Sequence, residues 1–337
     1  MSFRPTALVT AAATVALVLG LTGCGSGDEH GRPDVPTVAP QTPLPARVPA
    51  APEGTVVAAP DLGRALALIP GPGGALAALA RDGKSVAVYA GGDLNGAPVR
   101  TETPPMRAIT ADRDGFVAVG EKSVVRIGVR PTPATVVALA RPGLAVAVDG
   151  NRVYVGTEDG HLLILDDRLH QVGDVGGLVR VDGVAVGQRN GAPQIVVLDR
   201  AQSLVTTINP NSSGRGAALR AGNGATTLVA DHYGRFTVAN TGDGQILGFY
   251  GEPLINRFRF PLPDGPYGLA YDDQRNLLWV SQTAVNRVTA FDLSAGEPRE
   301  RTRFASVRQP DSIAVDPTSG AVYVLSATGD GLQRVTR

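Results

Sequence analysis

Residues 269–281, "LAYDDQRNLLWVS", and residues 313–325, "IAVDPTSGAVYVL", are built to one plan. Each opens on a short apolar stretch ending in Asp, passes through a polar turn, and closes on a second stretch rich in Val, Leu and aromatic residues. Apolar runs of this length, bounded by Asp, Asn, Gly or Pro, read as two strands of a hairpin. The plan returns as "LAALARDGKSVAVYA" (76–90), "ITADRDGFVAVG" (109–120), "VAVDGNRVYVG" (146–156), "VAVGQRNGAPQIVVLD" (184–199) and "LVADHYGRFTVAN" (228–240), which makes seven copies. Their fourth residues are Leu79, Asp112, Asp149, Gly187, Asp231, Asp272 and Asp316, standing 33, 37, 38, 44, 41 and 44 residues apart. A period near 40 made of strands is the signature of a β-propeller with one blade per repeat. The expected fold is all-β, with seven blades of four antiparallel strands over residues 54–337.

The recurring aspartates read as turn residues, because Asp at a strand end bonds the backbone two residues on and starts the reversal. Third and fourth strands follow in most repeats, as in "VVRIGV" (124–129) with "ATVVALA" (134–140), "LVTTIN" (204–209) with "GAALRAG" (216–222), and "RVTAFD" (287–292) with "RERTRF" (299–304). The seventh repeat has a third strand, "LQRVTR", and then reaches Arg337. An open blade leaves an exposed edge. The ring is therefore expected to close with an N-terminal strand, either "TVVAA" (55–59) or "ALALI" (65–69).

The N-terminus carries a different message. Arg4 precedes an uncharged apolar run from Ala7 to Leu21, which has the layout of a secretory signal and is short for a membrane-spanning helix. Leu21-Thr22-Gly23-Cys24 resembles the bacterial lipobox, in which the thiol is acylated and the chain is cut before the cysteine. Cys24 is the one cysteine of the 337 residues, so no internal disulfide forms. The expected organisation is a signal at 1–23, a lipidated Cys24 opening a tether at 24–53, and the propeller. The expected location is the outer face of the cell membrane. Residues 25–53 hold seven prolines and no hydrophobic period, which predicts a semi-extended spacer.

The chain carries 31 basic and 31 acidic residues, so no overall field attracts nucleic acid or anionic lipid. Lys84 and Lys122 are its only lysines, and abundant Ala, Gly, Val and Pro add to an arginine bias that suggests a GC-rich, actinobacterial genome.

Beyond the lipobox, "VVLDRAQSLVTTI" (196–208), "LRAGNGATTLVAD" (219–231), "PYGLAYD" (266–272) and "LLWVSQTAVNRV" (277–288) resemble the actinobacterial lipoproteins typified by mycobacterial LppL. "PYGLAYD" and "PDSIAVD" are similar, more loosely, to YncE-like, NHL-like and lactonase-like propellers. The resemblance implies an exported, lipid-anchored propeller and no particular reaction.

In a propeller the residues just before strand one and just after strand two converge at one mouth of the central channel. Those positions are Arg107, Asp182, Thr226, Tyr267 and Asp311, and then Glu121, Glu158, Asp199, Arg200, Asn240 and Gln282. Arg107, Asp182, Asp199, Arg200, Asn240, Tyr267, Gln282 and Asp311 are the ligand-binding candidates. Chemistry-bearing motifs are otherwise sparse. His30, His161, His170 and His232 form no metal-ligand spacing, "DRDG" (112–115) and "EDGH" (158–161) do not extend into calcium loops, and no G-x-S-x-G elbow occurs. "GNG" (222–224) and "GDG" (242–244) read as turns, and Trp279 as a packing residue between blades. No catalytic set, metal or cofactor is expected. The leading reading is a non-catalytic scaffold for an envelope protein or a polar small molecule. The alternative is a metal-dependent hydrolase or lyase of the lactonase or streptogramin-lyase kind, with Glu121, Asp182, Asp199, Asn240 and Asp311 as its oxygen donors.

Overall fold

The computed structural model describes Met1 and residues 33–58, 66–210, 212 and 214–337. The signal after Met1 and the lipobox with Cys24 lie outside the described residues. The described strands form seven sheets, each one blade, with four antiparallel strands in radial order. The inner strands are Ala67–Pro70, Met106–Asp112, Gly143–Asp149, Gly183–Arg189, Ala225–Ala230, Pro266–Asp272 and Pro310–Val315. In blade four the outer strand is broken into Gly214–Arg215 and Leu219–Arg220, both paired with Leu204–Asn209.

Second strands such as Gly115–Gly120, Phe236–Asn240 and Val322–Ser326 are buried along their whole length. Both of their faces meet a neighbouring blade, so their sequences run apolar without alternation. Outer strands such as Val99–Glu102 and Arg299–Ala305 are half wet and polar. The core is correspondingly divided into seven clusters, each between two adjacent blades. Trp279 belongs to the cluster between blades six and seven, 5.9 Å from the Phe304 ring. Three of the repeat aspartates cap their turns as expected, with Asp231, Asp272 and Asp316 accepting backbone N–H groups two residues on. Asp149 instead accepts from the Gln188 side chain in the next blade at 3.1 Å.

Blade one departs from the sequence reading by one strand. Leu76–Leu79 and Ser85–Tyr89 are its second and third strands, and Ala67–Pro70 is the inner one. "LAALARDGKSVAVYA" copies the apolar-turn-apolar plan but occupies the next hairpin outward. The closing strand is Thr55–Val57, antiparallel to Leu332–Val335. Of the two candidates, the first closes the ring and the second begins it.

Closure is reinforced from both sides. Gln333, fully buried, donates from Nε2 to Glu53 O at 2.7 Å and to Ala305 O at 3.0 Å, and its Oε1 accepts the Val307 N–H at 3.0 Å. Arg337 pairs with Glu53 at 2.6 Å. The seam between blades seven and one buries Leu68, Leu76, Tyr89, Tyr323, Leu325 and Leu332 together, each such side chain contributing about 1.5–3 kcal/mol relative to exposure. Tyr323 also donates its hydroxyl to Gly92 O across that seam at 3.3 Å.

Residues 33–53, expected as a spacer without packed structure, are laid against the ring. They form no strand or helix, yet the Val38 N–H donates to Ala201 O at 2.9 Å, the Arg47 N–H to Ala284 O at 2.8 Å, and the Glu53 N–H to Ala305 O at 3.0 Å. Proline fixes the backbone in an extended form, and that same stiffness lets the segment lie along a row of loops at little entropic cost.

Candidate functional site

Five of the seven inner strands carry a β-bulge at their first pair with strand two. The pairing skips Arg107, Leu144, Thr226, Tyr267 with Gly268, and Asp311. A bulge sets two residues against one and bends the strand, which re-aims a side chain. Every one of these skipped residues lines the central cavity, a space of about 460 Å³ walled by the inner strands of all seven blades. Deeper in, the wall is apolar, built by Ile109, Val146, Val184, Leu228, Leu269 and Ile313. The site is a polar ring above an apolar well, which is the usual composition of a ligand pocket.

The ring has two unlike arcs. Over blades two to four, charges neutralise one another. Arg107 bonds Glu158 at 2.8 Å and Glu121 at 3.2 Å, Arg180 bonds Asp182 at 2.7 Å and Glu158 at 3.5 Å, and Asp182 also accepts the Arg200 N–H at 3.0 Å. Hydrogen bonding from Arg107, above all, holds Glu158 below the usual carboxylate range.

Over blades five to seven, with Arg200 reaching in from blade four and Arg81 from blade one, the balance is different. Burial pushes the Asp311 carboxyl up to about 6, against a Gln309 Nε2 hydrogen bond of 2.9 Å and the charge of Arg81. Burial likewise pushes the Tyr267 phenol up, opposed by Arg200 and reinforced by Asp311. Arg200 has no carboxylate partner among the described residues. Its Nε is buried and unbonded, and its Nη2 donates to Gln41 O.

Of the eight candidates, Arg107, Asp182, Arg200, Tyr267 and Asp311 come together around this cavity. Asp199, Asn240 and Gln282 do not line it. Each stands at the end of a second strand, where the side chain turns into the loops behind the ring. Asp199 is fully buried and accepts the N–H groups of Val179, Arg180 and Gln202 at 3.1–3.2 Å. Asn240 bonds Asp243 at 2.7 Å, and Gln282 bonds Pro263 O and Thr289 at 2.9 Å.

Sequence reasoning missed Arg81 and Arg180. Arg81 follows strand two of blade one, the position that gives Glu121, Glu158 and Arg200 elsewhere, and the one-strand shift in that blade concealed it. Arg180 lies in the lead-in to blade four, two residues before Asp182, with which it pairs.

Among the described residues no three His, Cys, Asp or Glu side chains gather as a metal-holding group. A second cavity of about 670 Å³ opens on the opposite face beside blades five and six, lined by Tyr233, Arg235, Tyr250, Arg257, Phe258 and Asn276 among others. It draws on two blades, whereas the mouth draws equivalent positions from all seven.

Comparison of the sequence with protein-family models and with curated proteins finds no match. Among solved structures, a chain of hydrazine synthase from Kuenenia stuttgartiensis is similar with a TM-score of 0.70 and 15% identity, covering 85% of this chain and 98% of that one. A chain of a mitotic checkpoint complex is similar with a TM-score of 0.71 and 14% identity, covering 90% of this chain and 97% of that one. At these identities the likeness is one of fold.

Proposed function

We propose that this protein is a lipid-anchored, extracytoplasmic β-propeller that binds an envelope protein or a polar ligand at the channel mouth without catalysing a reaction. The observation carrying the reading is the ring itself. Arg107, Asp182, Tyr267 and Asp311 come from four blades and meet over an apolar well, with Arg200 beside them. Of the four carboxylates that a metal-dependent hydrolase would use, Glu121 and Asp182 are engaged with arginines and Asp199 with backbone amides, which leaves Asp311, bonded to Gln309, as the one on the cavity without such a partner among the described residues. The signal and the lipobox at Cys24 support the location, and the propeller fold, shared with a chain of a protein complex, supports a role in interaction.

The test is affinity capture of the membrane-anchored protein, with the captured material identified by mass spectrometry. Arg107→Ala and Tyr267→Ala are expected to lose the partner that the native protein retains while remaining folded, Tyr267→Ala with a lowered melting temperature because its ring is largely buried. Retention of the same partner by both variants would refute binding at the mouth.

A further inference from the structure

Residues 38–48 cross blades four to seven on the mouth face as an extended strap. The ring holds the strap mainly by its main chain. The Val38 N–H donates to Ala201 O at 2.9 Å, and Arg200 donates to Gln41 O. Gln309 makes two bonds, donating from Nε2 to Leu44 O at 2.9 Å and accepting the Ala46 N–H at Oε1 at 3.0 Å. The Arg47 N–H donates to Ala284 O at 2.8 Å, and Asn286 donates from Nδ2 to Val48 O at 2.8 Å.

Side-chain recognition is lighter: the Gln41 side chain lies over Gly224, and two further contacts are specific. The Arg47 guanidinium pairs with Asp264 at 2.7 Å, and Leu44 lies over Gly265, where a Cβ would come within 3.0 Å of it. Gly265 has φ +73°, so any other residue would be strained there as well as in the way. Bonds to a main chain are open to any extended peptide, and prolines pre-order such a peptide at low entropic cost. The strap buries little apolar surface, since Val38 stays 54% and Leu44 38% exposed. Removing it therefore forfeits hydrogen bonds that water replaces.

We propose that this rim is a groove for extended, proline-containing peptides with an apolar residue and an arginine three positions on, that residues 38–48 occupy it in cis, and that a partner's segment binds by displacing them. The proposal rests on the mouth face being the binding face and adds the partner's chemistry and its regulation. A tethered occupant acts at an effective concentration up to the millimolar range, so the intact chain binds a competitor more weakly than a cleared one.

The experiment uses a fluorescent synthetic peptide of residues 36–50, "PTVAPQTPLPARVPA", and anisotropy. Saturable binding is expected to the chain lacking residues 34–50, weakened at least tenfold in the intact chain and lost with Gln309→Ala in the shortened one. Absence of saturable binding to the folded, shortened chain overturns the proposal, as does equal binding to the intact chain. Should the shortened chain fail to fold, hydrogen exchange on the intact protein decides. Excess peptide is expected to speed exchange at Val38, Ala46 and Arg47, and unchanged exchange overturns the proposal. Failure here with partner capture still sensitive to Arg107→Ala removes the groove and leaves the mouth.

Discussion

Gln309 donates from Nε2 to Asp311 Oδ1 at 2.9 Å, joining the buried carboxyl of the channel, whose pKa is raised, to the side chain that grips the strap. Ionisation inside the cavity and attachment outside it thus share one amide.

Asp311 makes stability depend on pH in a defined window. Its folded pKa of about 6 lies above the ordinary aspartate value, so the native state keeps the proton longer than the unfolded chain does. Below about pH 4 both states are protonated and the group imposes no penalty. Between about pH 4 and 6 the unfolded chain ionises first and stability falls, by at most on the order of 2–3 kcal/mol, after which the loss is constant. Asp311→Asn is expected to remove this decline, so urea titrations at pH 4.5 and 7 should show the variant gaining on the native protein as pH rises. A constant difference between the two proteins across that range would refute it.

Gln333 is the polar key of ring closure. Gln333→Leu leaves the Val307 N–H and the Glu53 and Ala305 carbonyls without this partner in a buried seam. The expected loss is about 2–4 kcal/mol in denaturant unfolding. A loss under about half a kcal/mol would mean that hydrophobic packing closes the ring alone.

Asp199 and Arg107 were equivalent candidates in the sequence and should now part company. Asp199→Ala strips three backbone N–H groups of a buried acceptor and is expected to cost about 2–4 kcal/mol. Arg107→Ala breaks half-exposed ion pairs and is expected to cost less than about 1 kcal/mol. Unfolding midpoints of the two variants measure the contrast.

Cys24→Ser tests the anchor. Without the acyl chains a cleaved signal leaves no stable membrane attachment, so the variant is expected in the soluble fraction after cell fractionation. A cleaved variant still sedimenting with membranes would contradict lipidation.

The repeat was readable because second strands are buried on both faces and turn on Asp, Gly and Asn, which prints a strong apolar-polar-apolar rhythm into the sequence. Outer strands such as Ile255–Pro261 face water and carry little of that rhythm. Blade one misled for the same reason, since its third strand Ser85–Tyr89 is nearly as buried as a second strand and offers the same hairpin pattern. At the mouth, the inner-strand positions were legible from register alone, and the bulges then turned Arg107, Tyr267 and Asp311 inward. Register could not show that Asp199, Asn240 and Gln282 face the loops, because that depends on which backbone groups lie behind each strand end. The strap left no trace in periodicity at all, its contacts being main-chain bonds from residues more than 150 positions away.

The strap also sets posture. A free leash from Cys24 to Glu53 would reach about 100 Å and let the ring tumble in any orientation above the bilayer. Fixing Val38 to Ala201 leaves only the stretch from Cys24 to Val38 to pay out, at most about 50 Å, and makes it depart from the mouth face. A lipid on Cys24 would then draw on the ring from its mouth face, and release of the strap would both open the rim and roughly double the distance the leash can span.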